Sequence, residues 1–142
     1  MKPISRRILF GAPIPFLAAQ VRADSAAANR PKTTPAVWNR TELYFGTSRP
    51  AGAPVSDRQF ANFIDTYVTP RFPDGLTLLA GYGQFKTSSG DINKEKSFVL
   101  ILFYPPQMRD ANRNIEELRE IYKNLFQQES VLRSDSNSFI SF

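Results

Sequence analysis

An α+β fold, an antiparallel sheet with two helices on one face, is the class this sequence predicts, and three observations carry it. Two apolar stripes recur at helical spacing: Phe60, Phe63, Ile64, Tyr67 and Val68, then Ile115, Leu118, Tyr122, Leu125 and Phe126. Segments of alternating or wholly apolar residues, rich in aromatic and β-branched types, flank each stripe as strands would. The resulting order is β-α-β-β-α-β, which is the split βαβ or ferredoxin-like arrangement.

The first strand is read over residues 38–46 from its alternation, with Thr41, Leu43 and Phe45 pointing one way and Trp38, Arg40, Glu42 and Tyr44 the other. A loop punctuated by proline and glycine follows, and Ser56 then caps a helix, with Gln59 closing a capping box and Val55 placed to staple onto Phe60. Pro70 stops this helix, and Asp74-Gly75 turns the chain into a second strand over residues 76–86. Gly81-Tyr82-Gly83 in its middle predicts a bulge or a close backbone approach; no helix follows and no GxGxxG is present, so it is not a phosphate loop.

Residues 87–91 form a hairpin loop, and the third strand is read over residues 96–104. Its run from Phe98 to Tyr104 is apolar on both faces, which predicts that both sides of this strand are covered. Pro105-Pro106 ends it. The second helix is expected from about Asp110 to Gln128, and residues 131–142 form a last strand or strand pair, interrupted by the turn-like Ser134-Asp135-Ser136-Asn137.

Composition narrows the chemistry. The formal charge of +5 invites a nucleic acid or an anionic membrane as partner, until the basic residues are located. Lys2, Arg6, Arg7 and Arg22 all precede Asp24, the first acidic residue; the rest of the chain carries 14 basic against 13 acidic residues, a net of +1. Neither cysteine nor histidine occurs, so disulfides, thiol nucleophiles, Ser-His-Asp sites and histidine or thiolate metal sites are excluded. No metal site and no cofactor are expected.

Residues 1–23 combine a basic start, an apolar run from Ile8 to Ala19 and a small-residue exit at Ala23, with Ala28 as an alternative cleavage point. This is the pattern of a cleaved export signal, and Ser5-Arg6-Arg7-Ile8-Leu9-Phe10 is similar to a twin-arginine signal with its last two positions exchanged. The run is short and broken by Pro13 and Pro15, so no stable membrane anchor is expected. The mature chain is expected in the periplasm or outside the cell, with residues 24–37 a flexible linker and residues 38–142 a single domain.

Four stretches resemble, in order, the successive motifs of bacterial exported proteins catalogued as domain of unknown function 3574. They are residues 38–46, residues 69–77, Gly81-Tyr82-Gly83-Gln84, and residues 126–133. The resemblance implies membership and export; it implies no activity and no assigned active site.

The candidate site lies on the sheet face opposite the helices. Trp38, Arg40, Glu42, Tyr44, Tyr82 and Gln84 are expected there as a binding group, and Glu42, Arg40 and Tyr82 are the candidates for catalysis if Glu42 serves as proton acceptor. The plainer alternative, and the favoured one, is that Arg40 and Glu42 form a structural ion pair. A face too apolar for water is expected to bind a small molecule or to pair with a second copy in a homodimer. The favoured function is a non-catalytic binding or interaction module. The alternative is a small cofactor-independent enzyme, an isomerase or monooxygenase on a dimeric α+β barrel, with an Arg/Glu/Tyr pocket. Nucleic acid is not expected, because the third strand lacks the glycine-aromatic pattern of RNA-binding sheets.

Overall fold

The structure, a computed structural model, describes residues 34–142. The expected export signal, and the expected linker as far as residue 33, lie outside the described residues. Four strands and two helices follow: β1 Ala36–Gly46, α1 Asp57–Phe63, β2 Thr77–Lys86, β3 Ile92–Tyr104, α2 Ala111–Phe126 and β4 Leu132–Ile140. The strands form one sheet in the order β2-β3-β1-β4, and every neighbouring pair is antiparallel. Among the described residues no helix is long and apolar enough to cross a membrane.

Register divides the sheet into two faces. Leu43 and Phe45 of β1 stand opposite Leu100 and Phe98 of β3, and all four are buried with Phe60, Phe63, Ile115, Leu118, Tyr122 and Phe126 of the two helices. Both helices therefore pack on this one face. The centre is aromatic: Phe60 stacks on Phe98 at 3.9 Å between centroids, and Tyr122 tilts onto Phe45 at 4.5 Å. Truncating a fully enclosed side chain such as Leu100 would cost about 2–5 kcal/mol, because transfer and cavity terms add.

Local chemistry sets the ends of α1. The Gln59 N–H donates to the Ser56 hydroxyl at 3.3 Å and the Ser56 N–H donates to the Gln59 side chain at 3.0 Å, completing the expected capping box. The helix does not continue as α; Ile64–Val68 is a π-helical turn, closed by the Thr69 N–H on the Ile64 carbonyl at 2.9 Å. Pro70 has no N–H, and the next donors, Arg71 and Phe72, both bond the Val68 carbonyl. Helix α2 ends at Gln127, which takes the left-handed conformation at φ 56°.

Several sequence expectations are corrected. Strand β1 starts at Ala36, inside the expected linker, because Ile140 and Phe139 of β4 supply partners for Ala36 and Val37. Strand β3 starts at Ile92, and β2 pairs with it without interruption from Thr77 opposite Ile101 to Lys86 opposite Ile92, so no bulge occurs at the glycines. Ser134-Asp135-Ser136-Asn137 does not break the last strand; each residue pairs with β1, and polar residues are tolerated at a sheet edge that faces water. Leu125 is exposed and does not belong to the buried face of α2. Finally, the helices cover one side of β3 only: on the other, Val99 and Ile101 are half-buried and Phe103 is 37% exposed.

Candidate functional site

The face without helices carries β1's even-numbered side chains. Arg40, Glu42 and Tyr44 stand opposite Phe103, Ile101 and Val99 of β3. Arg40 forms an ion pair with Glu42, and its guanidinium lies over the Phe103 ring at 5.7 Å; the Tyr44 hydroxyl donates to Glu42 Oε2 at 2.5 Å. The expected ion pair is present and extends into a three-residue ladder. The hydrogen bond to Glu42 raises the Tyr44 phenol above its ordinary value of 10.0, with desolvation and the Glu42 charge adding to it and Arg40 opposing. Arg40 Nε is buried with no hydrogen-bond partner among the described residues.

One step beyond Tyr44 the face opens into a cavity of about 220 Å³. It is lined by Tyr44, Phe45 and Gly46 of β1, Gly83, Gln84 and Phe85 of β2, Glu95 and Ser97 of β3, and Gln128, Ser130 and Leu132. Missing side chains make the room. A Cβ on Gly46 would collide with the Glu95 carboxylate, and one on Gly83 would come within 3.3 Å of the Ser97 hydroxyl. Gly83 is thus the close backbone approach that its sequence position allowed.

Glu95, only 9% exposed, is the one charged residue of the lining. Its Oε2 accepts the Thr47 N–H at 2.7 Å and the Ser48 N–H as well. The same stretch is pinned from three other directions. The Tyr122 hydroxyl donates to the Gly46 carbonyl at 2.8 Å, the Thr47 hydroxyl to the Lys96 carbonyl at 2.7 Å, and Gln128 Nε2 to the Ser48 carbonyl at 2.5 Å. Burial pushes the Tyr122 phenol far above its usual value, and the Glu95 charge adds to that, so Tyr122 remains a donor. Such a cradle holds a carboxylate in one place at the wall of a small, mostly neutral cavity.

The expected binding group is only partly assembled. Arg40, Glu42 and Tyr44 are together. Trp38 shares their face but lies toward the far end, its ring 5.6 Å from that of Phe142. Gln84 is among the residues of the cavity lining, but its pairing with Lys94 puts its side chain on the helix face and not on the open face expected for it. Tyr82 does not join: unbroken pairing places it opposite Lys96, whose ammonium bonds Asp57, the first residue of α1, so Tyr82 belongs to the helix face and is 96% exposed. Within one copy of the chain, Glu42 and Arg40 stand on the open face and Tyr82 on the other, so the three catalytic candidates are not brought together. Among the described residues no group of three or more Asp or Glu is gathered as a metal ion would need.

Glu95, Gly46, Ser97 and Gln128 were not candidates from sequence. One signal pointed to Glu95: extending the third strand's alternation two residues back from Ser97 places it on the same face as Val99 and Ile101.

Comparison with known proteins adds a family and a fold. The model of a family described as "Protein of unknown function (DUF3574)" matches residues 40–142. No curated protein matches the chain. Among solved structures, a phage SAM lyase in complex with S-methyl-5'-thioadenosine is similar at 17% identity and a TM-score of 0.56, over 70% of this chain and 80% of that one. The apo state of a phage SAM lyase is similar at 15% identity and a TM-score of 0.56, over 71% and 81%. At such identities the likeness is one of fold.

Proposed function

The chain belongs to the DUF3574 family, described only as of unknown function, and we propose that it is an exported bacterial binding module whose ligand is a small molecule held in the Glu95 cavity. The observation that carries this reading is a buried carboxylate held by backbone N–H groups at the wall of a cavity floored by two glycines. Convergence supports it: three of the four stretches that carry the family likeness meet there, through Tyr44 and Gly46, Gly83 and Gln84, and Gln128 and Ser130. The remaining stretch, residues 69–77, does not reach it.

Strand order β2-β3-β1-β4 with antiparallel neighbours, and helices after β1 and β3, supports reading the domain as the ferredoxin-like split βαβ. In that arrangement the open face is free to be closed by a second copy, and Leu79, Phe103 and Leu132, all exposed on it, favour a homodimer. The cavity is smaller than the roughly 300–1,000 Å³ of pockets that take drug-sized ligands, which favours a molecule about the size of one ring.

A fragment screen by nuclear magnetic resonance on residues 24–142 tests this. Hits are expected to shift Tyr44, Gly83 and Ser97 together; a folded protein whose hits all map elsewhere overturns the reading. Light scattering is expected to give a dimer, and a strict monomer at high concentration removes the second copy. A second reading, an enzyme, draws its support from the fold shared with phage SAM lyases. Incubation with S-adenosylmethionine decides it: formation of S-methyl-5'-thioadenosine, lost in Glu95→Gln, would replace binding by catalysis.

A further inference from the structure

We infer that the Glu95 cavity selects a primary ammonium carried on a short apolar or aromatic body. This rests on the reading of the cavity as a binding site and adds the chemical class of its ligand.

The argument starts from two oxygens that share one space. Glu95 Oε1 and Gln128 Oε1 both lie within 3.1 Å of the point where a Cβ of residue 46 would stand, so glycine there is what lets the two oxygens approach the same stretch of backbone. The Gln128 amide is oriented by its nitrogen, which donates to the Ser48 carbonyl at 2.5 Å, so its oxygen is the end turned toward Gly46. Two acceptors converging on one wall, one of them a carboxylate, call for a donor with several hydrogens and a positive charge. An ammonium is that group.

Charge points the same way. A buried carboxylate is stable when paired or well hydrogen-bonded, and Glu95 receives two backbone N–H groups but forms no ion pair among the described residues. The cations nearby in sequence stand elsewhere. Strand alternation puts Lys94 and Lys96 on the helix face, where Lys96 bonds Asp57, and Arg49 lies over the Phe126 ring at 5.2 Å. A ligand cation therefore finds no competitor in the lining. Tyr44, Phe85 and Leu132 supply the apolar wall for the rest of the molecule, and the two rings favour a cation nearby.

Three probes of one shape separate charge from fit: 2-phenylethylamine, 2-phenylethanol and phenylacetate, titrated into the full mature chain with amide shifts as readout. The amine is expected to move Gly46, Gly83 and Ser97 and to bind roughly tenfold or more tighter than the alcohol, as a charge-assisted hydrogen bond implies. Phenylacetate is expected not to bind. In Glu95→Gln, which keeps a side-chain oxygen for Thr47 and Ser48, the amine should lose its advantage over the alcohol. Equal binding of amine and alcohol to the wild type overturns the ammonium inference and leaves the cavity a binding site. If no probe moves these residues, the ammonium inference falls; the fragment screen then decides the binding reading separately. The wild-type comparison stands by itself should Glu95→Gln fail to fold.

Discussion

Along β1, Arg40, Glu42 and Tyr44 satisfy one another, whereas two residues further on Gly46 has no side chain and leaves its place to Glu95 and Gln128, which arrive from β3 and from the segment after α2. The first group is local: each partner sits two residues from the next on one strand, and Glu42 is engaged from both sides, by Arg40 through Oε1 and by Tyr44 through Oε2. The second is assembled from residues up to 82 positions apart, if Gly46 is set beside Gln128. Its carboxylate is held by main-chain groups alone. A carboxylate already engaged by neighbours on its own strand is a poor place to look for a ligand, and one held by backbone alone is a better one.

Substitutions test whether the two clusters differ. Glu95→Ala should have the largest effect, about 3 kcal/mol by chemical denaturation, since it leaves the Thr47 and Ser48 N–H groups without their charged acceptor. The matching change in the ladder, Glu42→Ala, should cost less than about 1 kcal/mol, as partly exposed ion pairs do. Equal losses would mean that the two clusters are the same kind of object. Next in size is Gly46→Ala, expected to cost about 1–3 kcal/mol because the added methyl must displace the Glu95 carboxylate, with Gly83→Ala smaller since the Ser97 hydroxyl can rotate away.

The smallest effect sharpens the comparison. In Glu42→Gln the Tyr44 phenol should titrate closer to 10.0 by ultraviolet absorbance, because the hydrogen bond to the carboxylate is the main cause of its elevation. The sign for stability follows: a phenol with a raised folded-state pKa contributes fully below its unfolded value, and the contribution is lost as pH rises through the folded value. A wild-type phenol titrating at its ordinary value would dissolve the ladder.

Legibility in the sequence follows the same division between local and assembled. The start of α1 could be read because Ser56 and Gln59 are three residues apart and settle their own hydrogen bonds. The Arg40–Glu42 pair could be read for the same reason. Ser134 to Asn137 read as a turn because their own preferences are for turns, and only β1, some 95 residues earlier, makes them a strand by pairing Asp135 with Thr41. Tyr82 went to the wrong face because a strand's alternation says which residues go together but not which side they take. That is decided by register with β3. Glu95 was hidden by both effects, lying outside the expected strand and finding its donors 47 and 48 residues away.

The position of β1 in the sheet has a consequence in time. As the first strand made, it takes β3 and β4 as its neighbours, and its far end waits for Phe139 and Ile140. A ribosome releasing β1 exposes a strand with no mate until β3 has emerged and with one open edge until β4 follows, and pairings this distant slow the search for the native state. The cavity, which needs β1, β2, β3 and the segment after α2 at once, is then among the last features to appear, so ligand binding in a refolding experiment should lag the recovery of helical signal.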